Sequence, residues 1–248
     1  MTYDLSGSVV AITGASSGIG EATAIACARA GAAVALAARR TERIEQLAQR
    51  IEDEGSRAFA LGCDVADERQ ARAFVEQAYE RLGRLDALVN NAGVMLLGPV
   101  EGADTENWRR MIDVNLLGVL YCTHAALPVM RAQGAGHIVN VSSVAGRRAT
   151  AGSAVYNMTK FGVTAFSEAL RQEALHANIR VTCVEPGLVA TELMTHNSDE
   201  IQGLAAKRFE AVTALTSEDI ADAIVFAITR PEHVGINEVL VMPTKQVR

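Results

Sequence analysis

Short, continuous apolar runs alternate along this chain with longer amphipathic stretches, and that alternation leaves few folds open. The runs at Val9–Thr13, Ala33–Ala38, Ala58–Gly62, Ala87–Asn90, 137–142, 180–185 and 238–242 have strand length. Their polarity does not alternate, as it would in a strand with one wet face. Strands of this kind belong to a parallel sheet covered by helices on both sides. Between them lie helical segments at 18–30, 41–54, 67–82, 105–133, 154–176 and 217–229. Thr41, Asp67, Thr105 and Ser217 are the expected capping residues. Asp67 and Gln70 fit a capping box loosely, and 217–220 reads SEDI before an apolar stripe. Strand–helix repeats joined by right-handed crossovers make a doubly wound α/β sheet. No linker or internal repeat divides the 248 residues, so 1–248 reads as one domain.

Composition narrows the function. The net charge is −6 and basic residues form no block, which argues against nucleic acid. Apolar runs are strand-sized, so no membrane span is expected. The first eight residues lack a basic segment followed by an apolar one, so no secretory signal is expected and the setting reads as cytoplasmic. Cys27, Cys63, Cys122 and Cys183 form no CxxC pair and sit in apolar stretches, as buried free thiols do. The five histidines are scattered, so no metal site is expected.

Ligands in doubly wound sheets bind beyond the carboxyl ends of the strands, and the polar motifs fall there. The first strand runs into Thr13, Gly14, Ala15, Ser16, Ser17, Gly18, Ile19 and Gly20. Gly14 suits a tight turn, Gly18 lets the backbone approach a pyrophosphate, and Gly20 permits close helix–sheet contact. The helix start then offers free N–H groups to phosphate. The second strand ends in Arg39 and Arg40, where a carboxylate would select NAD. A guanidinium suits the 2′-phosphate of NADP(H). Arg39 is the expected ligand and Arg40 the more peripheral. Asp64, followed by Val65, offers its carboxylate either to an adenine amino group or to the cap of the next helix. Asn90 reads as a strand pin or a turn residue, and Asn91, Ala92 and Gly93 leave room for a cofactor.

Tyr156 and Lys160 are four apart in a helical segment and share one face. An ammonium beside a phenol favours the phenolate and lowers its pKa toward a range where it exchanges protons. Ser143 ends the fifth strand and offers a hydroxyl to a substrate oxygen. Asn115 interrupts an apolar helix; it either holds a water linked to Lys160 or is a satisfied core amide.

Together these residues resemble the short-chain dehydrogenase/reductase family. The matching motifs are TGxxxGxG at 13–20, NNAG at 90–93 and the Asn115, Ser143, Tyr156, Lys160 set. The resemblance covers essentially the whole chain. It implies a Rossmann-like seven-stranded parallel sheet and transfer of the pro-S hydride of NADPH to a carbonyl carbon. It also implies nicotinamide contacts from Pro186, Gly187, Val189 and Thr191, and a homotetramer or homodimer built on the helices at 105–133 and 154–176. Segments 91–100, 165–173 and 243–247 are similar to clavulanate-pathway aldehyde reductases (clavaldehyde dehydrogenase) and to NADP-dependent 3-hydroxy acid dehydrogenases. Substrate contacts are then expected from Met95, Leu96, Ala145, Gly146, Leu188 and Leu193, under a lid at 192–211. Arg147 and Arg148 follow the Ser143 loop and leave an acidic substrate open. The alternative is an NADP(H)-binding sensor with vestigial catalysis, although a pure binder needs neither Tyr156 nor Asn115.

Overall fold

A computed structural model describes residues 4–210 and 212–247. Seven strands form one parallel sheet in the order β3-β2-β1-β4-β5-β6-β7. They are β1 (Val9–Thr13), β2 (Ala33–Ala38), β3 (Ala58–Gly62), β4 (Ala87–Asn90), β5 (Gly136–Val141), β6 (Ile179–Pro186) and β7 (Glu238–Val241). Along β1, Val10 and Ile12 face one core while Ala11 faces the other. In β2, Val34 and Leu36 face the first core and Ala35 and Ala37 the second. Both faces are dry, which is why the strands read as unbroken apolar runs.

Helices α1 (Gly18–Arg29), α2 (Thr41–Asp53) and α8 (Ser217–Ile228) cover the first face. In α2 the buried residues Ile44, Leu47, Ala48 and Ile51 recur at helical spacing. Burying one Leu or Ile fully stabilises by about 1.5–3 kcal/mol. The second face carries α3 (Glu68–Leu82), α4 (Thr105–Ile112), α5 (Gly118–Gln133) and α6 (Ala154–Ala174). Helix α7 (Asp199–Phe209) lies beyond β6. Strand order reverses between β1 and β4, so successive helices pass to opposite faces there and a crevice opens at the strand ends.

Several expected boundaries shift. The segment 105–133 is not one helix: a π-helical turn at Asp113–Leu117 separates α4 from α5. The run is long and apolar enough to cross a membrane by length and composition, yet here α5 packs on α3 and α4 on α6. Three caps also move one residue earlier. Arg40, Asp104 and Thr216 occupy the cap positions expected for Thr41, Thr105 and Ser217, and the capping box joins Thr216 to Asp219. Two adjacent capping types stand at Asp104–Thr105 and Thr216–Ser217, and the residue with extended backbone takes the role. Asp67 caps α3 as expected, accepting from the Gln70 N–H at 3.0 Å.

His137 in β5 is buried, with Nε2 2.7 Å from Thr182 Oγ1. That hydroxyl donates to the Ile236 carbonyl, so the ring nitrogen is the donor to it. Burial, and then Arg180, push its pKa down to about 3. The folded pKa lies below the unfolded one, so the unfolded chain binds the extra proton. Stability is full above about pH 6.5 and falls as pH drops toward 3, by up to about 1.4 kcal/mol per unit. Urea midpoints between pH 7 and pH 4.5 will show that slope, and His137→Leu will reduce it. An unchanged slope in the variant would rule out His137 as its source.

Candidate active site

Backbone meets backbone at the ends of β1 and β4. Thr13 Oγ1 accepts from the Asn91 and Ala92 N–H groups at 3.0 and 3.1 Å. The Asn91 amide donates back to the carbonyls of Thr13 (3.0 Å) and Gly14 (3.3 Å). Gly14 has φ +67°, and a Cβ there would stand 2.8 Å from Ala92 Cα. At Gly20 a Cβ would stand 2.3 Å from the Gly14 carbonyl oxygen. Ser17 precedes α1 in extended conformation without capping it, so no cap side chain serves the first-turn N–H groups. A phosphate at that turn finds open donors and no Cβ in its way.

This loop lines a cleft of about 760 Å³ over the strand ends. Around it stand Ser16, Ser17, Gly18, Ile19, Arg39, Arg40, Asp64, Val65, Asn91, Ala92 and Gly93, and on the far side Pro186, Gly187, Val189 and Thr191. The two arginines exchange their expected roles in one respect. Arg40 is not peripheral: Nε and Nη2 donate to Ser16 Oγ (3.1 and 2.9 Å), and Nη2 also to Ser17 Oγ (2.7 Å). Its Nη1 pairs with Glu192 at 2.7 Å, and Arg43 holds the other Glu192 oxygen at 3.0 Å. Arg40 and then Arg43 hold the Glu192 carboxyl down to about 2. Arg39 lines the cleft and pairs with no carboxylate among the described residues. Asp64 Oδ1 accepts the Ala66 N–H at 3.1 Å, so its carboxylate serves its own loop.

Tyr156 and Lys160 lie one turn apart on α6, both buried, with Ser143 opposite. Burial pushes the Tyr156 phenol up to about 12, against a lowering hydrogen bond from Ser143. The expectation that the ammonium lowers it is not met by the chain's own groups. Lys160 Nζ lies 5.9 Å from the ring centroid and donates to the Val141 carbonyl at 2.9 Å. Burial brings Lys160 itself down to about 8. Desolvation is the largest influence on both groups.

Asn115 sits in the π-helical turn. Its Oδ1 accepts from the Val94 N–H and its Nδ2 donates to the Val94 carbonyl, both at 2.8 Å, and to Thr159 Oγ1 at 3.2 Å. The side chain therefore clamps the Gly93–Val94 turn. Asn90 likewise serves the framework, donating to Asn140 Oδ1 (2.8 Å) and Thr123 Oγ1 (3.0 Å).

Of the expected substrate contacts, Met95, Ala145, Leu188 and Leu193 line the cleft. Leu96 does not: it lines a small neighbouring pocket with Trp108 and Met111. Gly146 does not either. It packs behind the cleft, where a Cβ would stand 2.6 Å from Ser142 Oγ and 2.8 Å from the Lys160 carbonyl. Arg147 turns away to the buried Glu185 and to Glu238, tying the Ser143 loop to β6 and β7. Arg148 lines the cleft and pairs with no carboxylate among the described residues. The expected lid begins with a helical turn at Glu192–His196 and continues into α7. Ala211, its expected end, lies outside the described residues.

Three positioning side chains carried no signal in the local sequence pattern. Asn197 accepts from the Leu97 N–H at 2.7 Å and donates to the Met95 carbonyl at 3.0 Å, docking the turn on the opposite wall. Gln246, near the end of the chain, accepts from the Leu188 N–H at 2.8 Å. Asn157 donates to the carbonyls of Ala145 and Arg148 at 2.8 and 2.9 Å. Their partners are remote in sequence or in irregular loops, where periodicity is silent.

The family model for short chain dehydrogenases matches residues 8–202. The chain belongs to the short-chain dehydrogenase/reductase family. An uncharacterized oxidoreductase of Staphylococcus saprophyticus is 43% identical over 241 residues, covering 96% of each chain. The glycine betaine reductase ATRR of Emericella nidulans is 41% identical over 242 residues, but this chain spans only 19% of its length. Among solved structures, a closed form of serine dehydrogenase complexed with NADP+ has 36% identity and a TM-score of 0.90, covering 97% of this chain and 96% of the other. An alcohol dehydrogenase of the archaeon Thermococcus sibiricus, complexed with 5-hydroxy-NADP, has 30% identity and a TM-score of 0.87, covering 97% and 98%. This short-chain oxidoreductase shares their fold along nearly its whole length.

The packing at Gly20 gives a direct check. Gly20→Ala will push α1 from the Gly14 carbonyl and cost about 1–3 kcal/mol, read as a lower urea midpoint. Full stability in the variant would mean that the helix and loop are not in the contact described.

Proposed function

We propose that this short-chain oxidoreductase reduces an aldehyde or ketone to the alcohol with NADPH, reversibly, with Tyr156 as the acid/base. The observation that carries this reading is the buried Tyr156 hydroxyl beside Ser143 and Lys160, in the cleft that holds the glycine loop and Arg40. When bound, NADP(H) supplies or accepts the hydride. The chain fits it with the Gly14–Gly20 loop for the pyrophosphate, Arg39 and Arg40 for the 2′-phosphate, and Pro186, Gly187, Val189 and Thr191 at the nicotinamide end. Lys160 lies beside Gly93, where it can also reach a ribose hydroxyl.

Tyr156, held protonated by its burial, donates to the carbonyl oxygen, and Ser143 steadies that oxygen. As the proton leaves, Lys160, protonated at neutral pH, favours the phenolate that remains. Asn115 keeps the Gly93–Val94 turn in place beside it. The turn at Glu192–His196 and the apolar wall of Met95, Leu97 and Leu193 reduce water around the reacting carbon. Arg148 favours substrates that carry a carboxylate, as serine does for the serine dehydrogenase neighbour. A homodimer or homotetramer built on α5 and α6 agrees with the exposed Leu120, Met158 and Phe161 on those helices. Four free cysteines suit a reducing, cytoplasmic setting. A sensor with vestigial catalysis is the weaker reading, because burying a tyrosine hydroxyl beside a serine hydroxyl and a lysine costs stability that nucleotide binding alone does not require.

NADPH and NADH oxidation should be followed over a panel of aldehydes and ketones that includes oxo acids and semialdehydes. NADPH is expected to support much the faster turnover, and the carboxylate-bearing compounds the lower KM. Tyr156→Phe is expected to lower kcat by about 10²–10⁴-fold while leaving the NADPH Kd unchanged. Turnover retained in that variant would exclude Tyr156 as the acid, and tight NADPH binding without turnover of any compound would favour the sensor.

A further inference from the structure

We propose that Glu192 tunes cofactor selectivity by competing with the cofactor's 2′-phosphate for the Arg40 guanidinium. The inference rests on the reading of Arg40 as a phosphate ligand. Arg40 has its N–H groups directed at three oxygens: Nε at Ser16, Nη2 at Ser16 and Ser17, and Nη1 at Glu192. The serines alone suffice to lay the guanidinium across the glycine loop. The Glu192 contact is different in kind, because both partners carry a full charge, and it would be the strongest of the set. Arg43 fixes the second carboxylate oxygen, so Glu192 is held at the adenosine end from two sides.

A phosphate dianion arriving at Arg40 has two options. It displaces the carboxylate from Nη1, or it sits beside a carboxylate that keeps its negative charge. Either option removes part of the attraction that three clustered arginines, Arg39, Arg40 and Arg43, would otherwise exert. NAD(H) presents a hydroxyl there, makes no strong demand on Arg40, and feels Glu192 little. Glu192 thus weakens the NADP(H) preference below what the arginines would set by themselves. It is about half exposed and its carboxylate pairs with Arg40 and Arg43, not with Tyr156, Ser143 or Lys160, so its neutral isostere leaves the fold and the proton-transfer groups intact.

The test is a double-mutant cycle read by NADPH and NADH binding, using nucleotide fluorescence at fixed ionic strength. Glu192→Gln is expected to lower the NADPH Kd by about two- to fivefold, the size an exposed ion pair supports, and to change the NADH Kd by less than about twofold. Glu192→Ala, checked by circular dichroism and melting temperature, serves as the second variant. In an Arg40→Gln background the same change is expected to lose its effect on NADPH. Unchanged or weaker NADPH binding in both Glu192 variants would overturn the proposal, since Glu192 would then hold Arg40 in its working position. Equal tightening with and without Arg40 would also overturn it, since the effect would be a general field. Arg40→Gln alone separates the two levels: if it fails to weaken NADPH more than NADH, the phosphate-ligand reading itself is wrong.

Discussion

The contact between the β1 and β4 loops sets the geometry of everything at the carboxyl edge of the sheet. Thr13 and Asn91 exchange side-chain-to-backbone hydrogen bonds across two strands that are neighbours in the sheet but far apart in sequence. The Gly14 carbonyl is pressed so close to α1 that residue 20 has no room for a Cβ. This junction aims the first turn of α1 into the crevice and places the Gly93–Val94 turn opposite. Asn115 then clamps Val94 from the π-helical turn, and the Gly93 Cα comes near both Asn115 and Lys160. Cofactor loop and proton-transfer groups are thus registered through backbone contacts, which bend far less than long side chains do.

Burial gives Tyr156 and Lys160 their character. Removing Tyr156 and Lys160 from water opposes the charged form of each, so the phenol rises and the amine falls toward neutrality. The two pKa values therefore move apart, to about 12 and about 8, so the phenol holds its proton tightly while the amine holds its own less tightly than a free lysine. The cost is met by specific acceptors such as the Val141 carbonyl, and by a framework that keeps Ser143 in place. That framework includes the Arg147–Glu185 pair, in which the carboxylate is wholly buried at the end of β6.

The substrate side is assembled by single side chains reaching across the cleft. Asn197 ties the Glu192–His196 turn to the 95–97 segment, Glu192 ties it to Arg40 and Arg43, and Gln246 pins Leu188. One short turn is therefore bonded both to the adenosine end and to the substrate wall. The turn thus links Arg40 to the 95–97 segment through two side chains, Glu192 and Asn197.

The amino-acid sequence by itself determined the layered architecture, because continuous apolar runs demand a sheet dry on both faces and glycine at 14, 18 and 20 demands close backbone approach. It also determined the glycine loop and the Tyr156–Lys160 pair, since helical spacing alone puts those two side chains on one face. Element boundaries drifted by a residue where capping residues stand in tandem, as at Asp104–Thr105. The π-helical turn in 105–133 was illegible because nothing local distinguishes Asn115 from any other polar residue in a helix; its partner Val94 defines it. Only the tertiary structure decided that Arg40, rather than Arg39, is the tethered arginine, that Leu96 and Gly146 lie outside the cleft, and that Glu192 meets Arg40, Asn197 meets the 95–97 segment and Gln246 meets Leu188. Those outcomes depend on which remote segments meet at the strand ends, and periodicity carries information about a residue's own element but none about what that element will touch.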